Sequence, residues 1–174
     1  RREEVQRVQS ERAAAETAPV PDDSVPREIF NVADALRRVD AARLHLIVDA
    51  YNLLLQAPAD HDERPSVDLP AMRNRFERLC RRHLSGVGLV QIVYDGTDAA
   101  VQSRHKQGNL LVCFAPRREP DQNADNLIVS RLRETAPDLP IRWLVTDDAG
   151  LRARAREFCE SFLPTEALDD FFRA

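Results

Sequence analysis

The segment Leu44-His45-Leu46-Ile47-Val48-Asp49-Ala50-Tyr51-Asn52 decides the reading of this chain, because an apolar run of strand length stops abruptly on an acid. A run that is apolar at nearly every position, rather than at alternate ones, belongs to a strand covered on both faces, as in a parallel sheet between helices. Leu89–Tyr94, Leu110–Ala115 and Ile141–Val145 have the same form. Four parallel strands are therefore expected, with Ser161–Leu163 as a weaker fifth.

Working outward, the stretches between the runs carry helical spacing. Asp68 is placed to cap a helix with Pro70 in its first turn and Leu69, Met72, Phe76, Leu79, Cys80 and Leu84 on one face. Leu127, Ile128 and Leu132 mark a second helix, and Leu151, Ala155 and Phe158 a third. Ile29, Phe30, Ala33, Leu36 and Val39 give a short amphipathic helix ahead of the first strand, and residues 165–172 a last short capped one. Alternating strand and helix predicts a doubly wound α/β domain. One join departs from the alternation: residues 96–109 are polar with two glycines and little helical period, and a mobile loop is expected there.

Residues 1–16 are mostly charged, Gln or Ala, which suits a solvated helix or the end of a coiled coil, and prolines at 19, 21 and 26 make the next stretch a linker. The domain is thus expected over 27–174, preceded by a tail and linker over 1–26. The start at Arg1 lacks the basic-then-apolar plan of a signal peptide, and no apolar run approaches the roughly 20 residues of a membrane-spanning helix, so a cytoplasmic location is expected and a membrane partner is not. The charged start instead suggests a longer parent chain or a coiled-coil partner. Cys80, Cys113 and Cys159 lie far apart beside apolar neighbours, where a thiol serves as a small hydrophobe. A net charge of −4 argues against a simple basic RNA-binding module, so a polyanion would need a local basic face or a metal.

In a parallel sheet, ligands sit beyond the carboxyl ends of the strands. There this chain is repeatedly acidic: Asp49, Asp95 and Asp147-Asp148 follow three of the runs, and Asp125 opens the helix after another. Any one of them reads equally as a turn former or helix cap. Together they deliver carboxylates from four chain segments to one edge, and mutual repulsion there calls for a hard cation such as Mg²⁺ or Mn²⁺. The chemistry such a site supports is hydrolysis of a phosphodiester.

Leu46-Ile-Val-Asp-Ala-Tyr-Asn-Leu53 resembles the "VDGYN" signature of NYN domains in the YacP-like branch of the PIN-like ribonucleases. Val93-Tyr94-Asp95 is similar to that family's "VFDA/G" strand end, Ala124-Asp125-Asn126 to its "ADDxI" helix start, and Val145-Thr-Asp-Asp148 to its "V(T/S)SD". The likeness runs from about Leu44 to Leu168. It implies a Rossmann-like three-layer fold with about five strands and helices on both faces, and metal-dependent endoribonuclease activity. It also carries the metal site onto Asp49, Asp95, Asp125 and Asp148, with Asn52 orienting substrate or water. Ala50 replaces the family's Gly, and Asn126 replaces the second acid of its pair, removing a charge. Asp147 stands where the family often has Ser or Asn, and either offsets that loss or caps the helix that follows.

Arg104, His105 and Lys106 in the expected loop, and Arg117-Arg118 after the third strand, are candidates to hold RNA phosphates at the same edge. Tyr51 is placed either to stack on a base or to pack. The arginines at 73, 75, 78, 81 and 82 read as a solvated helix face. A second reading is an RNA- or ribosome-binding module with a degenerate site. A receiver- or phosphatase-like domain fits less well, since no D-x-D-x-T follows the first strand.

Overall fold

A computed structural model describes residues 25–50, 68–97, 103–116, 123–134 and 136–174. The tail at 1–16, the linker up to residue 24, Tyr51, Asn52, Arg117 and Arg118 lie outside the described residues. In chain order the elements are β1 (Arg27–Glu28), α1 (Val32–Arg38), a 3₁₀ turn (Ala41–Arg43), β2 (Leu44–Asp49), α2 (Leu69–His83), β3 (Leu89–Thr97), β4 (Ser103–Gln107), β5 (Leu110–Pro116), α3 (Ala124–Arg133), β6 (Ile141–Val145), α4 (Ala149–Ala155), β7 (Ser161–Leu163) and α5 (Thr165–Arg173).

The strands form one sheet in the order β1-β7-β6-β2-β3-β5-β4, parallel throughout except for the β4–β5 pair. The doubly wound α/β expectation holds because each continuous apolar run feeds both faces at once. Leu44, Leu46, Val48, Val90, Ile92, Tyr94, Trp143 and Val145 pack under α1, α2 and α5. Ile47, Val93, Cys113 and Leu144 pack under α3 and α4 through Ile128, Leu132, Leu151 and Ala155. All six residues of β2 are buried, as the central strand of such a sandwich must be. The one imidazole among them is satisfied: His45 Nε2 lies 3.0 Å from Gln91 Oε1, and burial pushes its pKa below 6.5.

Three sequence expectations need correction. The segment expected as a mobile loop contains β4, an antiparallel edge strand joined to β5 by a two-residue turn at Gly108-Asn109. Gly108 has φ +60°, the left-handed conformation that this tight hairpin demands at its first central position. Asn109 donates from Nδ2 to the carbonyls of Leu84 and Val87 at 2.8 and 2.7 Å, pinning the turn to the end of α2. The sheet therefore has seven strands among the described residues, not about five, the other addition being the two-residue β1. Ile29 and Phe30 precede α1 rather than joining it, and Phe158 lies beyond the end of α4.

The helix starts follow their caps: Asp68 accepts from the Ala71 amide at 3.1 Å and Asn123 from the Asn126 amide at 2.9 Å. All three cysteines are free and buried, and burial pushes the thiols of Cys80 and Cys159 up to about 12, so both stay protonated packing groups at neutral pH. Gly88, at the start of β3, permits close approach of the 3₁₀ turn. Its amide bonds Ala41 O at 2.8 Å, and a Cβ there would stand 2.2 Å from Ala42 O.

Candidate metal centre

The chain leaves β2 toward β3 and β5 on one side, then crosses back to build β6 and β7 on the other, so the winding reverses between β2 and β6. Such a reversal opens a crevice at the carboxyl ends of the two strands. Asp49 ends β2, and Thr146-Asp147-Asp148 follows β6 directly. Asp95 sits on β3 where the pairing with β5 shifts register between Asp95 and Thr97, a bulge of the sort that re-aims a side chain at a sheet rim. Asp125 lies in the first turn of α3, where the helix N-terminus favours an acid.

Asp49 is buried, 5% exposed, and its charge is held by a hydrogen bond: Thr146 Oγ1 donates to Asp49 Oδ2 at 2.8 Å. The same hydroxyl oxygen accepts from the Asp148 amide at 3.1 Å. One fully buried threonine thus sets the positions of two of the acids. Asp148 in turn caps α4, its Oδ1 accepting from the Leu151 amide at 2.9 Å. Asp95 keeps a buried Oδ1 with no hydrogen-bond partner among the described residues.

The acids feel one another. Burial raises the proton affinity of Asp125, with the negative charges of Asp148 and Asp95 adding to it, while Arg154 acts in the opposite sense. Arg154 Nη1 lies 3.6 Å from Asp125 Oδ2, and its Nη2 donates to Asn126 Oδ1. Asn126, in place of a second acid, therefore works with Asp125 in anchoring a guanidinium. Asp147 has partners on α5. Its carboxylate accepts from the amide of Thr165 at 3.0 Å and from the Thr165 hydroxyl, which closes the start of α5. The expected cap of the helix that follows falls to Asp148, while Asp147 holds the start of α5 instead.

The donor set is oxygen-rich and anionic, and the unpartnered Oδ1 of Asp95 and the raised proton affinity of Asp125 both fit a hard cation. Among the described residues, however, no three His, Cys, Asp or Glu side chains are placed together so as to hold a metal ion.

The expected phosphate-holding cations divide. Arg104 pairs with Cys113 and Lys106 with Leu111 on the antiparallel β4. Lys106 therefore lies toward the amino end of β5, well back from the carboxylates, which corrects its expected place at the carboxyl edge; Arg104 is two residues nearer. On the other face, Arg73 does not simply solvate α2: its guanidinium stands 5.2 Å from the Tyr94 ring centroid and 5.4 Å from that of Phe114. Sequence reasoning misses Thr146, whose signal is a hydroxyl between a strand end and an acid pair, and Arg154, for which no local signal exists.

The site and sheet order together define an α/β architecture with acids around the switch point of a mostly parallel sheet. No protein-family model matches the chain, and no curated protein matches it. Among solved structures, it is similar to Rae1 (YacP) from Bacillus subtilis, with 17% identity over 74% of each chain and a TM-score of 0.51. The fold is YacP-like. No helix among the described residues is long and apolar enough to cross a membrane.

Proposed function

We propose that this protein is a cytoplasmic, metal-dependent endoribonuclease that hydrolyses RNA phosphodiester bonds at its aspartate cluster. The observation that carries the reading is the shared field of Asp125, Asp148 and Asp95 beside the buried Asp49, on a YacP-like fold. Asp49, Asp95, Asp125 and Asp148 are the residues that would hold Mg²⁺ or Mn²⁺. A bound ion would supply Lewis-acid charge for attack of water on the phosphodiester and for the leaving oxygen. Thr146 keeps Asp49 and Asp148 in position, and Asn52 orients substrate. Arg104, Arg117 and Arg118 are the cations that would steer the RNA, with a ribosome-bound RNA among the targets in view.

The test is calorimetric titration of Mn²⁺ into the wild type and Asp49→Asn, with RNA cleavage followed in parallel. Binding and cleavage that the substitution abolishes support the reading. Absence of both, on single-stranded and structured RNA, sinks it. Arg154 on Asp125 and Asn126 favours a second reading, an RNA- or ribosome-binding module with a degenerate site. Under it RNA affinity would be equal with and without metal and indifferent to Asp49→Asn.

A further inference from the structure

A cavity of about 390 Å³ opens between α3 and α4, lined by Asn126, Val129, Ser130, Arg133 and Arg154. Asn126, Ser130 and Arg133 fall at spacings of four and three on α3, so they form one stripe along the helix. The stripe begins beside Asp125 at the carboxyl edge of the sheet and ends about 10 Å further along the helix at Arg133. Among the described residues no acid lines the cavity, although the chain as a whole is acidic.

The two arginines are held differently. Arg133 makes no ion pair or hydrogen bond among the described residues, yet it is not loose: its guanidinium stands 4.9 Å from the Phe158 ring centroid. Stacking fixes the plane of the group and leaves its N–H edge available to an anion. Arg154 bridges the cavity to the aspartate cluster through Asp125 and Asn126. Ser130 and Asn126 add neutral polar groups between them.

We propose that this cavity is a phosphate subsite for an RNA strand, holding a backbone phosphate beside the aspartate cluster and not at it. This rests on the reading of RNA as substrate. A strand whose scissile phosphate lies at the cluster runs along the Asn126–Arg133 stripe, and Arg133 takes the phosphate farther from the reacting one. Electrostatic capture is local here, because the net charge of −4 gives no general attraction.

The test is fluorescence anisotropy of a labelled single-stranded RNA in EDTA, across a salt series, with wild type, Arg133→Gln, Arg154→Gln and Arg173→Gln. Arg173 is an exposed α5 residue paired with Asp169 and serves as the control for net charge. Arg133→Gln and Arg154→Gln should each weaken binding about tenfold and flatten the salt slope by about 0.7, and Arg173→Gln should change neither. Unchanged affinity and slope for Arg133→Gln overturn the subsite, as does an equal loss in Arg173→Gln. A wild type that binds inorganic phosphate at this cavity by NMR, but no RNA, overturns the strand as ligand. Failure of the nuclease reading has a separate signature: RNA held through Arg133 and Arg154 that Mn²⁺ never causes to be cut.

Discussion

The hydroxyl of Thr146 donates to Oδ2 of Asp49 at 2.8 Å, tying the end of β6 to the end of β2 across the point where the sheet reverses its winding. Because the same oxygen accepts from the Asp148 amide, a single buried side chain sets both acids. Thr146→Val removes a hydrogen bond to a buried charge at nearly constant volume. It should lower stability by about 2 kcal/mol, some 4–8 °C in Tm, and weaken Mn²⁺ binding, while Thr146→Ser retains both. Thermal melts and calorimetry on the pair check this; a Val variant with wild-type Mn²⁺ affinity would remove Thr146 from the site.

Asp147 and Asp148 are adjacent in sequence but face different partners, Thr165 for the first and the Thr146–Leu151 turn for the second. Asp147→Ala should cost about 1 kcal/mol, the usual worth of a helix cap, by freeing the start of α5. Its Mn²⁺ titration should match wild type. A variant that melts normally but fails to bind Mn²⁺ would return Asp147 to the metal site.

Asp125 has a proton affinity raised in the fold by burial and by Asp148 and Asp95. The native state then binds more protons than the unfolded one just above the ordinary value of 3.8, so stability falls as pH rises through that window. Asp125→Asn should accordingly melt above wild type at pH 7 without metal, the gap closing once the pH drops below the carboxylate range. Saturating Mn²⁺ should reverse the order. Melts that show no pH dependence in the difference would contradict the shared field.

Gly88 has no room for a methyl group, since Ala42 O would lie 2.2 Å and Leu139 Cδ2 2.6 Å from it. Gly88→Ala should cost about 2–3 kcal/mol by forcing the 3₁₀ turn away from β3. Chemical denaturation measures it, and Gly86→Ala, where nothing lies within 4 Å, is the matched control.

Much of this fold is written in β2, β3, β5 and β6, because a strand buried on both faces must be apolar at almost every position. β4 is illegible for the opposite reason: Ser103–Gln107 contains no apolar residue, and an exposed edge strand requires none. The acids can be found because strand ends place them. Their supports cannot, since Thr146 lies 97 residues from Asp49 and Arg154 lies 28 from Asn126, contacts that only the sheet order creates. Lys106 is misplaced by sequence because reading a loop where a hairpin returns reverses the direction in which its residues travel.

That returning strand also shapes the free border of the sheet. The outer border of the sheet carries Arg104, His105 and Lys106 on a five-residue strand, and the opposite border is only two residues long. Like charges brought face to face repel, and two residues offer too few amide groups to template a neighbour. Among the described residues, both margins of the sheet are thus poor templates for a further strand, which guards a core rich in valine, leucine and isoleucine against growing into a continuous intermolecular ribbon.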